Sequence, residues 1–131
     1  MIQNMKKILV VDDELDILEV VKHILKNQYF SVETLSQWQK ISNTIETFKP
    51  DLILLDVSLG GADGRDICSD LKHDPATKDI PIILFSAIYN LKGNLKGCEP
   101  DAVIPKPFDA KYLVQTIDSK LNEKSYVTSV L

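Results

Sequence analysis

A chain of 131 residues, 44% hydrophobic and 26% charged, has the make-up of one globular domain that buries its core without cross-links. Its net charge is −4 and its lysines are spread along the chain, which disfavours direct nucleic-acid binding, since phosphate contacts need a concentrated cationic face. The apolar runs are too short to span a bilayer and the start has no apolar segment of signal-peptide length, so a cytoplasmic protein with no membrane contact is expected.

Strand-length apolar runs alternate with helical-period segments, the pattern of a parallel sheet with crossover helices. Lys7 to Val11 reads as a buried strand ending at Asp12. Leu18, Val21 and Leu25 then recur at helical spacing between about Leu15 and Lys26, with Ile17 and Ile24 widening the stripe. Residues 30–35 form a short second strand. Ser36 is expected to cap a helix with Trp38, Ile41, Ile45 and Phe48 on its buried face, and Pro50 stops it. Residues 52–55 are the third strand, ending at Asp56.

Gly60, Gly61 and Gly64 mark a loop before a third helix that carries Ile67, Cys68 and Leu71. Residues 73–78 contain Pro75 and read as a loop. The fourth strand, 82–85, ends at Ser86. Gly93 and Gly97 interrupt the segment 87–100, each costing a helix interior roughly 1 kcal/mol, so at most a short or frayed fourth helix is expected there. A fifth strand over 102–104 leads to Lys106. Asp109 opens a last helix that buries Leu113, Ile117 and Leu121, and periodicity is lost after Asn122. The expected organisation is thus one domain over 1–122 and a polar tail or linker start over 123–131, with no repeat and no second domain. Cys68 and Cys98 lack metal or redox spacing and are expected to be reduced, incidental thiols. His23 is expected on a helix surface and His73 in a loop, neither as a base.

In open parallel sheets, ligands bind beyond the carboxyl ends of the strands. Here Asp12 and Asp13, Asp56, Ser86 and Lys106 all fall at such ends, so four strands bring them to one rim. Each alone has an ordinary reading. Asp13 or Ser86 could cap a helix, Asp56 could start a turn and Lys106 could be a solvated surface residue. Together they form a specific combination. Two like charges about 4 Å apart cost on the order of 4 kcal/mol at an effective dielectric of 20. A hard, oxygen-ligated cation such as Mg²⁺ (or Mn²⁺) offsets that cost, and Lys106 supplies a second positive charge. Carboxylate, cation, ammonium and hydroxyl together suit phosphoryl transfer, with an aspartate as the nucleophile.

With those residues in place, the chain resembles the receiver domain of bacterial two-component response regulators. The resemblance rests on Ile8-Leu-Val-Val-Asp-Asp-Glu14, Pro50-Asp-Leu-Ile-Leu-Leu-Asp56, Asp63-Gly64, Ser86-Ala87 and Lys106-Pro-Phe108, over about residues 5–122. It implies a doubly wound α/β fold of flavodoxin-like (βα)5 type, with five parallel strands in the order 2-1-3-4-5. It further implies that Asp56 accepts a phosphoryl group from a phosphohistidine on a sensor histidine kinase or histidine phosphotransfer protein. Asp12, Asp13, Asp56 and the backbone carbonyl of Ser58 would hold Mg²⁺, while Ser86 and Lys106 would engage the phosphoryl oxygens. The Lys106–Pro107 peptide would be cis. Such a domain is not an enzyme on other molecules, beyond promoting transfer to its own Asp56 and slow self-dephosphorylation. It would signal through protein contacts as a monomer or weak homodimer.

Three departures from the family pattern stand out. Val103 occupies the position of the aromatic switch residue, with Tyr89 as a partial substitute. The interval from Ser86 to Lys106 is slightly short. Gly60 replaces a frequent proline. Val103 and the glycine-interrupted segment motivate a second expectation, a receiver-fold docking module that does not respond to phosphate. A third is a small aspartate-nucleophile phosphatase of the haloacid dehalogenase type. It wants a second Asp where this chain has Glu14, and a late acidic metal site that is missing. A flavin carrier is disfavoured by the acidic turn Asp12-Asp-Glu-Leu-Asp16, which would repel a phosphate.

Overall fold

A computed structural model describes residues 4–88 and 91–130, the side chains of 92 and 124–130 excepted. Five parallel strands form one sheet in the order β2-β1-β3-β4-β5. They are β1 (Lys7–Val11), β2 (Ser31–Leu35), β3 (Leu52–Asp56), β4 (Ile82–Ser86) and β5 (Ala102–Pro105). The described helices are α1 (Leu15–Lys26), α2 (Ile41–Phe48), α3 (Gly64–His73) and α4 (Ala110–Val130).

The central strands are apolar because both faces are covered, as a doubly wound sheet requires. Along β1, Ile8 and Val10 face one core layer with Leu18, Val21, Leu25, Leu113 and Ile117. Leu9 and Val11 face the other layer, with Ile41, Cys68 and Leu71. Each fully buried Leu or Ile contributes roughly 1.5–3 kcal/mol relative to exposure. This packing fixes the register, since a one-residue slip would turn every side chain to the wrong layer.

The expected strand and helix order is observed, and the structure corrects three local expectations and removes one alternative reading. Ser36 does not cap the second helix. Gln37 instead precedes a 3₁₀ turn, Trp38–Lys40, which runs into α2 without a side-chain cap. Asp13 is not a helix cap either. Glu14 holds that position, and the Glu14 amide donates to Asp12 Oδ1 at 2.9 Å. His73 is not in a loop but closes α3, with its Nδ1 2.7 Å from the Ser69 carbonyl oxygen. The last helix passes Asn122 and runs to Val130, in keeping with a stretch that has neither Gly nor Pro to stop it. Among its described residues the fourth crossover holds one 3₁₀ turn, Leu91–Gly93, in keeping with its glycines. Tyr89, the candidate substitute for an aromatic switch, lies outside the described residues.

Candidate functional site

Parallel pairing sets the site. Val11 pairs with Leu55, so the chain leaves β1 and β3 at the same rim, with Asp12 and Asp56 side by side. Asp56 pairs with Phe85 and Ser86 with Pro105, which brings in the ends of β4 and β5. Asp12, Asp13 and Asp56 each offer a carboxylate oxygen, all within 4.8 Å of one another. Asp12 is fully buried, Asp56 is 4% exposed and Asp13 faces solvent.

Lys106 closes the cluster. Its Nζ lies 2.8 Å from Asp12 Oδ2, 3.3 Å from Asp56 Oδ1 and 3.6 Å from Glu14 Oε1. The ammonium also sits 4.9 Å from the centroid of the Phe85 ring, which in turn packs on Phe108 at 5.2 Å. Burial opposes this charge, but the hydrogen bond to Asp12 and the charges of Asp56 and Asp12 outweigh it and raise the lysine pKa. The peptide after Lys106 is cis.

Asp56 is under the opposite pressure. Burial, and then the neighbouring Asp12 charge, push its pKa up to about 6, although Lys106 and the Ser58 backbone amide hold it down. A carboxylate held at that cost is a group waiting for positive charge. The donor set is hard oxygen on several carboxylates, which fits Mg²⁺ or Mn²⁺.

The loops around the cluster are shaped by close approach. At Gly60 φ is +53°, a conformation proline cannot adopt, and a Cβ would stand 3.2 Å from Asp13 Oδ2. This explains the loss of the proline expected there. At Gly64 a Cβ would overlap the Asp56 carbonyl oxygen, so only glycine lets α3 start against the end of β3. Ser86 is 2% exposed, and its hydroxyl accepts from the Ile88 amide at 2.9 Å, leaving its proton free to be donated elsewhere.

All the sequence-predicted side chains therefore meet at one rim. Sequence reasoning gave no site role to Glu14 and Phe85, which approach the lysine, or to Phe108, which packs on Phe85. Glu14 and Phe108 fall within the quoted motif segments and Phe85 adjoins Ser86, and that was the available signal. It also missed Arg65, whose guanidinium binds Asp63 through Nε and Nη2 at 3.0 and 2.8 Å and the Asn94 carbonyl through Nη1 at 2.9 Å.

An open five-stranded parallel sheet of this order, with an acidic cluster and a lysine at its strand ends, belongs to the class of doubly wound α/β domains whose ligand site lies at that rim. A family model described as the response regulator receiver domain matches residues 8–118, and the chain belongs to that family. The phosphate regulon transcriptional regulatory protein PhoB of Escherichia coli is 34% identical over 122 residues, covering 92% of this chain and 53% of PhoB. The chain thus spans about half the length of the curated relatives it matches. Among solved structures, a CheY-like receiver domain protein of Methanospirillum hungatei superposes with a TM-score of 0.85 at 26% identity, covering 94% of this chain and 98% of that one. The receiver domain of a signal transduction histidine kinase of Syntrophus aciditrophicus gives 0.83 at 28%, covering 90% and 91%. Receiver domains serve two-component signalling and interact with histidine kinases, which overrides the phosphatase and flavin-carrier alternatives. No helix among the described residues is long and apolar enough to cross a membrane.

Proposed function

We propose that this chain is a phosphoacceptor receiver that takes a phosphoryl group on Asp56 from a phosphohistidine of a sensor histidine kinase or histidine phosphotransfer protein. The observation that carries the reading is the convergence of three carboxylates within 4.8 Å, faced by one partly buried lysine. In the transfer, an Asp56 carboxylate oxygen attacks phosphorus. The phosphorus–nitrogen bond breaks, and the imidazole leaves with the electron pair and is then protonated.

Asp12, Asp13, Asp56 and the Ser58 carbonyl would hold Mg²⁺ or Mn²⁺, which when bound supplies charge neutralisation for the phosphoryl oxygens. Lys106 lies 3.3 Å from Asp56 and is placed to pair with one phosphoryl oxygen. The Ser86 hydroxyl proton is available to another. Slow self-dephosphorylation by water would return the domain to its resting state. The chemistry is confined to the protein's own aspartate, so we assign no turnover of an external substrate.

The receiver unit is placed at 1–122, with 123–131 as an extension or linker start. We assign it to the cytoplasm, as a monomer or weak homodimer that signals through protein contacts without touching nucleic acid itself, consistent with a net charge of −4. Val103 is only partly buried, packed against the layer that contains Leu91 and Cys98, and it offers no ring to rotate. That observation favours the second reading, a non-switching docking module, and beryllofluoride decides between the two. A change in amide exchange across 91–105 on loading would exclude the docking module.

Acetyl phosphate with Mg²⁺ tests the main reading. One added phosphoryl group by intact mass is expected, absent in Asp56→Asn. No labelling of folded wild-type protein with Mg²⁺ present would refute it.

A further inference from the structure

Among its described residues the fourth crossover of this fold has one 3₁₀ turn, Leu91–Gly93, and the structure shows side chains that hold it to α3. Asp63, the N-cap of α3, accepts from Arg65 through both carboxylate oxygens and lies 3.2 Å from Lys96 Nζ. Arg65 reaches across to the Asn94 carbonyl at 2.9 Å, and Lys96 also approaches Asp66 at 3.7 Å. Two cations and two carboxylates thus tie residues 94–96 to the first turn of α3. The Arg65 hydrogen bonds hold the Asp63 carboxyl well below the usual carboxylate range, as expected of an anion with two cationic partners.

Beneath this tie lie buried groups. Leu91 and Cys98 are each 4% exposed, and they cover Cys68 of α3, which is fully buried. The two free thiols lie in the same buried cluster, and burial pushes Cys68 up to about 12 and raises Cys98, which keeps both thiols protonated and unreactive while the crossover stays down.

Both anchors of the crossover adjoin the acceptor. Ser86 starts it, one residue past the β4 partner of Asp56. Asp63 bridges Ser58, and the next residue, Gly64, packs on the Asp56 backbone with its amide 2.7 Å from the Val57 carbonyl oxygen. A phosphoryl group on Asp56 would engage the free Ser86 hydroxyl proton and so pull on the turn that the Ser86–Ile88 bond holds. It would also add roughly −1.5 to −2 charges next to the Ser58–Gly64 loop.

We propose that residues 91–98 form a clasp, held to α3 by the Arg65–Asp63–Lys96 ion cluster, that is released when Asp56 is loaded and so uncovers the apolar floor around Leu91, Cys98 and Cys68. The clasp takes the place of the ring rotation that Val103 cannot provide. It rests on the phosphoacceptor reading above.

Thiol accessibility reads the clasp directly. Cys68 and Cys98 are labelled with a maleimide under native conditions with Mg²⁺, with and without beryllofluoride, and each site is resolved by peptide mass. Beryllofluoride occupancy is followed separately by the fluorine resonance of the bound group. Wild type is expected to label at least about tenfold faster when loaded. Arg65→Ala should label fast without beryllofluoride and gain little from it. Lys96→Asn should behave alike in smaller measure, because asparagine tolerates the φ of +53° at that position and the fold is spared. Bound beryllofluoride with unchanged labelling overturns the clasp and leaves the acceptor reading intact. No bound beryllofluoride overturns the acceptor reading and the trigger together. Unchanged basal labelling in both variants removes the ion cluster from the account.

Discussion

The Lys106 ammonium stands closer to Asp12, at 2.8 Å, than to Asp56, at 3.3 Å. In the resting site the lysine therefore serves mainly the more deeply buried carboxylate, which is fully enclosed and has no other cation within ion-pair distance among the described residues. Asp56 receives only what is left, and its pKa stays high. Of the two buried acids that share this cation, Asp56 is the less compensated.

Removing the lysine tests this division. Lys106→Ala leaves Asp12 as a buried carboxylate without a counter-charge, and breaking one side of such a pair typically costs on the order of 3 kcal/mol. Urea unfolding without metal should show a loss of that order. Carboxyl-carbon titration should find Asp56 above its wild-type value of about 6, since Lys106 lowers it. An unchanged Asp56 titration would show that the lysine does not act on the acceptor.

Stability should depend on pH through Asp56 with an unusual sign. The group titrates near 3.8 when unfolded and at about 6 when folded, so between those values the folded state binds more protons. Stability in chelator is then highest below about pH 4 as far as this group is concerned. It declines as pH rises towards 6, by up to roughly 3 kcal/mol. Asp63 acts in the opposite direction. Its lowered pKa adds stability that is lost only as pH falls below its ordinary value of 3.8. Asp56→Asn should flatten the decline between pH 4 and 6, and saturating Mg²⁺ should offset it above pH 6. A wild-type profile that rises over this window in chelator would contradict the uncompensated acceptor.

Metal affinity and folding should separate between the two neighbouring aspartates. Asp13 is exposed and its ordinary structural role, the helix cap, is taken by Glu14. Asp13→Asn should weaken Mg²⁺ binding about tenfold or more, about 1.4 kcal/mol, with little loss of stability. Asp12 also accepts from the Glu14 amide at 2.9 Å and from Lys106, so Asp12→Asn should lose both affinity and stability. Trp38, the single tryptophan, lines the same groove as Asp13 and Gly60 and provides a fluorescence readout. Equal stability losses in the two variants would contradict the separation.

How much of this was legible beforehand follows from the range of the interactions. The rim was readable because a parallel sheet sends every strand end to the same side, so Asp12, Asp56, Ser86 and Lys106 needed no contact information to be grouped. The reduced fourth crossover was readable because Gly93 and Gly97 act locally. The 3₁₀ entry to α2 was not, because Ser36 is a good local cap candidate and the helix nevertheless starts beyond it through an uncapped 3₁₀ turn. The Arg65–Asn94 bond spans 29 residues and the Cys68–Cys98 contact spans 30, and no local pattern encodes either partner. The run of α4 past Asn122 escaped a reading based on apolar periodicity, since helix propensity continues there after the buried stripe has ended.

Gly64 offers the sharpest steric test of how the acceptor is seated. Its missing side chain lets the first turn of α3 rest on backbone atoms of Asp56 and Val57, two of which would stand 2.9 Å from an added Cβ. Those atoms belong to a fully buried strand and its extension, so they cannot move aside as a flexible side chain would. Gly64→Ala must therefore shift either α3 or the strand end, with a stability loss of about 1–3 kcal/mol for an overpacked site. Either shift moves the Asp56 carboxylate relative to Lys106, and acetyl-phosphate labelling should slow at least about tenfold in the folded variant. Gly97→Ala makes the control. Its φ of +81° also disfavours alanine, but nothing lies within 4 Å of the added atom, so it should lose some stability and label at the wild-type rate. Normal labelling of Gly64→Ala would mean that the acceptor tolerates displacement, and the tight seat beneath it would have no part in the chemistry.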